Sequence, residues 1–271
     1  MQILKPLLAA LCLASGAAAL AQDEVPFITT PDHVTLAMLE LAAVSARDHV
    51  IDLGSGDGRI VITAARRFGA SGLGVEIVPD LVRKSRDFAR AAGVADRTEF
   101  RDQDLFATDL ARATVVTMYL LPDVNLQLRP RLLALAPGTR IVSHDWDMGA
   151  WEPERTLTLA VPDKAVGRDK SSRVHLWVVP ARVQGLWCAK GSRLEISQRF
   201  QMFSATLTEA SSATPRLVFD GRIDGTTLRA VGARISAMQA GAGVLRVTEV
   251  DGLGGDFAGR EFAAARGAAC P

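Results

Sequence analysis

Two rhythms of apolar and polar residues divide the chain. Between residues 30 and 180, short apolar runs alternate with longer segments whose apolar positions recur every three or four residues. Val34, Ala37, Met38 and Leu41 stand at i, i+3, i+4 and i+7, the stripe of a helix. Thr30-Pro31-Asp32 before them supplies an N-cap, a first-turn proline and a first-turn acid. Residues 50–53 predict a buried strand, and Val61, Ala64, Ala65 and Phe68 a helix stopped at Gly69. A second strand is expected over 73–76 and a helix over 79–92, closed by Gly93. Strands follow over 98–101 and 115–121, a helix over 125–135 before Pro137-Gly138, and strands over 140–144, 156–161 and 174–179. Strands alternating with helices need right-handed crossovers, which give a mostly parallel sheet covered on both faces. The expected fold class is α/β, a doubly wound Rossmann-like sheet.

After residue 181 the rhythm shortens to two. Leu194, Ile196, Gln198, Phe200 and Met202 alternate with Glu195, Ser197, Arg199 and Gln201. Residues 217–219 and 244–250 are further strands, and Asp220-Gly221, Asp224-Gly225 and Asp251-Gly252 offer turn dipeptides. Residues 22–181 are thus expected to form the α/β domain and residues 182–271 a small antiparallel β domain, a division that 271 residues accommodate.

The first 21 residues stand apart. Lys5 is the only charge before Asp23, residues 7–20 are apolar or small, and Ala19-Leu20-Ala21 precedes Gln22. A positive start, an apolar stretch and an A-x-A site predict a signal peptide over residues 1–21, and with it an exported, periplasmic or secreted protein. An uncleaved signal acting as a membrane anchor is the alternative, although the apolar run falls short of the ~20 residues of a comfortable span. No later segment is long and apolar enough to cross a membrane. Cleavage removes Cys12 and leaves Cys188 and Cys270, which either form one disulfide or remain two thiols. C-x-x-C and His/Cys ligand spacings are absent, so no metal is expected. With 31 Lys+Arg against 30 Asp+Glu, the chain lacks the basic excess of a phosphate-backbone binder, which argues against a nucleic-acid partner.

The chemistry concentrates at Ile51-Asp52-Leu53-Gly54-Ser55-Gly56-Asp57-Gly58-Arg59, where a strand turns into a helix. Its glycines permit a sharp turn and let a ligand approach the backbone. Arg59 stands where a dinucleotide fingerprint has its third glycine, which weakens a nicotinamide or flavin assignment. Glu76 ends the next strand, where a carboxylate can accept both hydroxyls of a ribose. Asp104 follows the third strand and can accept from an adenine amino group. The bland alternative is a glycine turn with solvated acids; three such features at one sheet edge argue against it.

The pattern Asp52-x-Gly54-x-Gly56-x-Gly58 with Glu76 resembles the class I S-adenosylmethionine-dependent methyltransferases. Residues 26–31, 52–62, 115–121 and 138–144, with Asn125, are similar to one branch in particular: the archaeal broad-specificity protein-lysine methyltransferases and the mitochondrial lysine methyltransferase of the ATP synthase c-subunit. The resemblance covers roughly residues 25–180. It implies S-adenosyl-L-methionine as cofactor, with Asp52, Gly54, Ser55, Gly56, Asp57 and Gly58 around its methionine part, Glu76 at the ribose, Asp104 at the adenine and Thr30 in a segment that closes over it. It also implies methyl transfer to lysine amines of a protein substrate. Methylation of a small molecule, or an exported protein that keeps the fold without the reaction, are the alternatives.

Methyl transfer from a sulfonium is an in-line displacement, so alignment supplies much of the rate. An acceptor lysine (pKa ~10.4 in water) must first become neutral. Tyr119, the only tyrosine, ends the fourth strand where it can orient an amine, against the plain alternative of packing. His144 ends the fifth strand and is a candidate proton acceptor, against a structural hydrogen bond beside Asp145. Trp146 and Trp151 are expected to pack a loop more than to wall an entrance.

Overall fold

The computed structural model describes residues 28–165, 169–209, 212, 214–252, 254–267 and 269–270; residues 1–21, expected as a signal peptide, and residues 22–27 lie outside these. The first half is a seven-stranded sheet: β1 (His49–Leu53), β2 (Ser71–Glu76), β3 (Thr98–Asp102), β4 (Val115–Met118), β5 (Arg140–His144), β6 (Arg155–Ala160) and β7 (Ser171–Val178). Their spatial order is β3-β2-β1-β4-β5-β7-β6. β1 to β5 pair in parallel, and β7 runs antiparallel to both β5 and β6. The order reverses between β1 and β4, so a crevice opens beyond the carboxyl ends of these strands.

Side-chain alternation along the buried strands assigns each face a cover. Val50, Val115 and Val142 pack with α1 (Asp32–Leu41) and α2 (Arg59–Phe68), while Phe100 packs with Val82 and Ala89 of α3 (Pro79–Ala91). Ile51, Val116 and Ile141 face the other way, against Leu128 and Leu132 of α4 (Pro122–Leu132) and the two tryptophans Trp151 and Trp177. Both tryptophans are fully buried, and each contributes about 4–6 kcal/mol of area-based burial before conformational entropy is charged. α2 ends as expected: Gly69 adopts φ 72° and its N–H caps Ala65.

Three local expectations change. Helix α1 starts at Asp32 with extended Pro31 as its cap and no side-chain cap, so Thr30 lies one residue outside the capping position. β4 stops at Met118, and α4 runs from Pro122 to Leu132 rather than 125–135. Leu121 is extended and Pro122, its φ already helical, starts the helix three residues early.

The second half closes into an antiparallel barrel of β8 (Gly185–Ala189), β9 (Ser192–Arg199), β10 (Met202–Glu209), β11 (Pro215–Asp224), β12 (Thr227–Ala230), β13 (Ile235–Gly241), β14 (Val244–Val250) and β15 (Glu261–Ala264). Pairing of β15 with β8 seals the ring, which removes exposed strand edges. The period-two run does not continue to Met202: the chain turns at Phe200 (φ 53°) and Gln201, and the inward set passes from Leu194 and Ile196 to Phe203, Ala205 and Leu207. Asp220-Gly221 is no turn. It lies inside β11, where a Cβ on residue 221 would meet Arg229 O at 2.2 Å and the Phe203 ring at 2.6 Å. Cys188 and Cys270 form a disulfide.

Candidate active site

Strand register brings the chemistry onto one line. Leu53 of β1 pairs with Val75 of β2 and Met118 of β4, and Met118 pairs with Ser143 of β5. The next residue along each strand is Gly54, Glu76, Tyr119 and His144. Asp104 lies two residues beyond the end of β3, whose Asp102 pairs with Glu76. The acids predicted from separate stretches of sequence therefore share one edge of one sheet.

The glycine loop is tied to the acid beside it. Gly54, Gly56 and Gly58 have φ of 73°, 53° and 79°, the left-handed region in which a side chain is strained. A Cβ on residue 58 would also meet the Phe100 ring at 2.6 Å and Ser85 Cβ at 2.7 Å. Gly56 N–H donates to Glu76 Oε2 (3.0 Å), and the Ile77 and Val78 N–H groups donate to Oε1 (2.9 and 3.1 Å). Three of the carboxylate's roughly four acceptor positions are thus filled, and Oε2 keeps one for a ligand hydroxyl. Asp104 accepts from Phe106 N–H (2.8 Å) and so caps a short 3₁₀ turn, which holds its exposed carboxylate at the edge.

Asp52 is buried and accepts from the Thr117 hydroxyl at 2.7 Å. Burial pushes its carboxyl up to about 7; the Thr117 bond opposes this, and the charges of Glu76 and Asp57 add to it. Burial also raises Asp57, but the hydrogen bonds and charge of Arg59 outweigh that and hold it below the usual carboxylate range. Arg59 donates to Asp57 through Nε (3.0 Å) and its terminal nitrogen (2.7 Å), and to Thr30 O (3.0 Å). It thereby fastens the segment before α1 to the loop. The sequence marked Arg59 only as a missing glycine; an arginine two residues after a loop aspartate was the available signal for this clamp. Ser55 Oγ is buried without a hydrogen-bond partner. A loop ringed by Asp52, Asp57 and Glu76, with one arginine pairing one acid, opposes a pyrophosphate and suits a ligand that brings positive charge.

At the other end of the line the Tyr119 and His144 rings pack together, with centroids 3.9 Å apart and planes tilted by 33°. Thr30 Oγ1 meets His144 Nδ1 at 3.1 Å, so the residue expected as a helix cap instead bridges to β5. His144 is 1 % exposed, and burial lowers its ring to about 4 against the pull of Asp145. The ring is neutral at pH 7, a hydrogen-bonding group with little capacity to store a proton. Its Nε2 has no hydrogen-bond partner. Burial, then the charge of Asp145, push the Tyr119 phenol up to about 12, so it too is neutral. Buried Asn125 donates to Ser143 Oγ (3.2 Å) and to the Trp146 and Asp147 carbonyls (3.2 and 3.3 Å), which fixes the loop after β5.

Half of the large apolar side chains exposed among the described residues follow these strand ends: Ile77, Val78, Phe106, Leu121 and Trp146. Such a concentration marks a surface that a ligand covers. Periodicity gave no warning of it, because these residues belong to loops. No group of three or more metal-ligating side chains occurs among the described residues.

The strand order, the glycine loop and the acid that ends β2 define a class I S-adenosylmethionine-dependent methyltransferase. An RNA methyltransferase from Salinibacter ruber, solved with S-adenosyl-L-homocysteine, is 52% identical, covering 58% of this chain and 96% of that one with a TM-score of 0.52. Residues 52–155 match the ANTKMT methyltransferase domain. A protein-lysine N-methyltransferase of Saccharolobus islandicus is 40% identical over 157 residues, 57% of this chain and 94% of the relative. The mouse lysine N-methyltransferase of the ATP synthase c-subunit is 37% identical over 111 residues, and the match spans 44% of its length. The chain belongs to this protein-lysine N-methyltransferase family. The match to the family's domain ends at residue 155, before the barrel begins.

Proposed function

We propose that the protein transfers a methyl group from S-adenosylmethionine to lysine side chains of a protein substrate. The observation that carries this is the level row of Gly54, Glu76, Tyr119 and His144 beside an anionic loop. When bound, S-adenosylmethionine supplies a methyl carbon made electrophilic by its sulfonium. Glu76 would hold the ribose hydroxyls, Asp104 the adenine side, and the Gly54–Gly58 turn the methionine part, with Ser55 Oγ free to bond it. Ionised Asp52 would answer the ligand's positive charge, and Arg59 would keep Thr30 and its segment over the loop.

On the acceptor side Tyr119, neutral at physiological pH, can accept from an amine N–H and aim the nitrogen lone pair. Thr30 and the ring contact with Tyr119 hold His144 in place, with its buried Nε2 3.6 Å from Asp145 Oδ2. Because His144 binds a proton weakly, the proton of the acceptor ammonium leaves to water. The family's relatives named for lysine methylation support lysine as the acceptor.

A second reading rests on one observation: the Salinibacter relative, at 52% identity, is described as an RNA methyltransferase. The near balance of 31 basic and 30 acidic residues favours protein over RNA. Incubation of the purified protein with methyl-labelled donor, protein extract and RNA decides between them. Label in lysines supports the proposal, label in RNA or in small molecules replaces it, and failure to bind S-adenosylhomocysteine ends it. Export directed by residues 1–21 is part of the same proposal: a mature N-terminus at Gln22 supports it and one at Met1 contradicts it.

A further inference from the structure

We infer that Asp145 is the residue that receives the acceptor's ammonium group, and that Lys164 occupies it as a built-in stand-in until an acceptor arrives. The inference rests on the methyltransferase proposal above and adds an acceptor subsite to it.

Asp145 follows β5 directly and adopts φ 63°, a left-handed conformation uncommon for a residue with a side chain. Its backbone and Oδ1 are fixed to β7: Asp145 N–H donates to Arg173 O (2.6 Å), and Arg173 N–H donates to Oδ1 (3.0 Å). That leaves Oδ2 to serve three groups. Tyr119 hydroxyl donates to it at 3.4 Å, His144 Nε2 lies at 3.6 Å, and Lys164 Nζ pairs with it at 2.7 Å. Tyr119 and His144 belong to the row that also contains Gly54 and Glu76, so this oxygen stands on the edge where an acceptor must meet the cofactor.

Three features separate this cluster from an ordinary ion pair. The first is the identity of the cation. The chain has five lysines against 26 arginines, so lysine is not its default basic residue, yet a lysine ε-ammonium sits here. The second is the buried Nε2 of His144, a polar atom 3.6 Å from that oxygen and without a hydrogen bond. The third is the rim: Leu121 and Trp146 are 49% and 41% exposed beside it, apolar surface suited to the aliphatic stem of a lysine. Lys164 reaches the carboxylate from the connection between β6 and β7, and its ammonium also donates to Ser171 O (2.7 Å). A tethered cation competes at an effective concentration of order mM, so an external ammonium must displace it.

The single tyrosine offers a clean probe. Protein carrying ring-¹³C tyrosine is saturated with S-adenosylhomocysteine, checked by calorimetry, and titrated with n-butylammonium chloride, the tip of a lysine side chain. Lys164→Met is expected to bind butylammonium about tenfold or more tighter than wild type by the Tyr119 resonance, and Asp145→Asn to lose the response while still binding S-adenosylhomocysteine. In wild-type protein labelled at lysine ¹³Cε, saturating butylammonium is expected to shift the Lys164 signal, an outcome that does not depend on a variant folding. Equal affinity in Lys164→Met and wild type, an undiminished response in Asp145→Asn, or an unmoved Lys164 signal would each overturn the acceptor assignment alone. Absence of S-adenosylhomocysteine binding in every form overturns the methyltransferase proposal, and this inference with it.

Discussion

Within the barrel, Ser192, Gln201 and Thr208 are the buried polar residues among those described, whereas the α/β half buries Asp48, Asp52, Asp57, His144 and His175 among others. Of the eight buried side-chain atoms among the described residues that lack a hydrogen-bond partner, seven belong to the α/β half, including Ser55 Oγ and His144 Nε2. A closed ring of strands satisfies its backbone internally and fills its centre with Leu, Phe and Ile side chains. An open sheet with a switch point leaves strand ends free, and there costly unpaired groups can persist because a ligand completes them. The contrast favours the first half as the place where a ligand binds, and each side of it can be broken separately.

The largest expected effect is in the first half. Glu76→Ala would remove the proposed ribose hydrogen bonds to a charged acceptor, about 3–6 kcal/mol for two, and is expected to weaken S-adenosylhomocysteine more than a hundredfold by calorimetry. It also frees the Gly56, Ile77 and Val78 N–H groups, so the loop loses its tie to β2. An affinity within threefold of wild type would detach the row of strand ends from cofactor binding. In the second half, replacing Cys188 and Cys270 by serine should cost about 2–4 kcal/mol in denaturant unfolding. The same variant should bind S-adenosylhomocysteine within twofold of wild type; weaker binding would mean that the barrel supports the site.

A smaller effect follows from Asp52. The folded, ligand-free protein keeps this carboxyl neutral up to about 7, while an unfolded chain ionises it near 3.8. The folded state therefore holds a proton that the unfolded state has lost, and this group's contribution to stability falls as pH rises through that window. A cationic ligand favours the ionised form, so affinity for S-adenosylmethionine should rise about tenfold between pH 6 and 8, with proton release visible in buffers of different ionisation enthalpy. Asp52→Asn should flatten that dependence. A pH-independent affinity in the wild type would separate Asp52 from the ligand's charge.

Much of the first half was legible because its signals are local. Gly69 and Gly93 stop helices a residue or two away, and the glycine loop, Glu76 and the end of β5 sit in runs whose pattern alone sets strand or turn. The barrel was legible only as alternation. β8, β12 and β15 are four or five residues long with one or two inward side chains each, too few to establish a period. Asp220-Gly221 has turn composition, but tertiary packing needs a residue without Cβ beside Phe203. Thr30 looked like a cap because the sequence cannot show that His144, 114 residues away, takes its hydroxyl. The pairing of Asp145 with Lys164 escaped notice for the same reason: it depends on the antiparallel return of β7, which no local pattern announces.

The smallest expected effect tests the seam between the halves. Phe200 of the β9–β10 turn stacks on Trp151 at 6.2 Å, Gln201 Nε2 donates to Glu152 O (2.9 Å), and Arg222 Nε donates to Glu154 Oε2 (3.1 Å). Phe200 packs with the core that contains Trp151 and Trp177, so the barrel supplies part of the cover of the sheet's second face. Arg222 is 42% exposed, and its pair with Glu154 is worth under about 1 kcal/mol. Arg222→Met keeps the apolar stem and removes the charge. It should leave one unfolding transition shifted by a degree or two, since burial of Phe200 joins the halves. Two resolved transitions in that variant would assign the coupling to the ion pair, and the tryptophan face would then have to be stable without its aromatic cover.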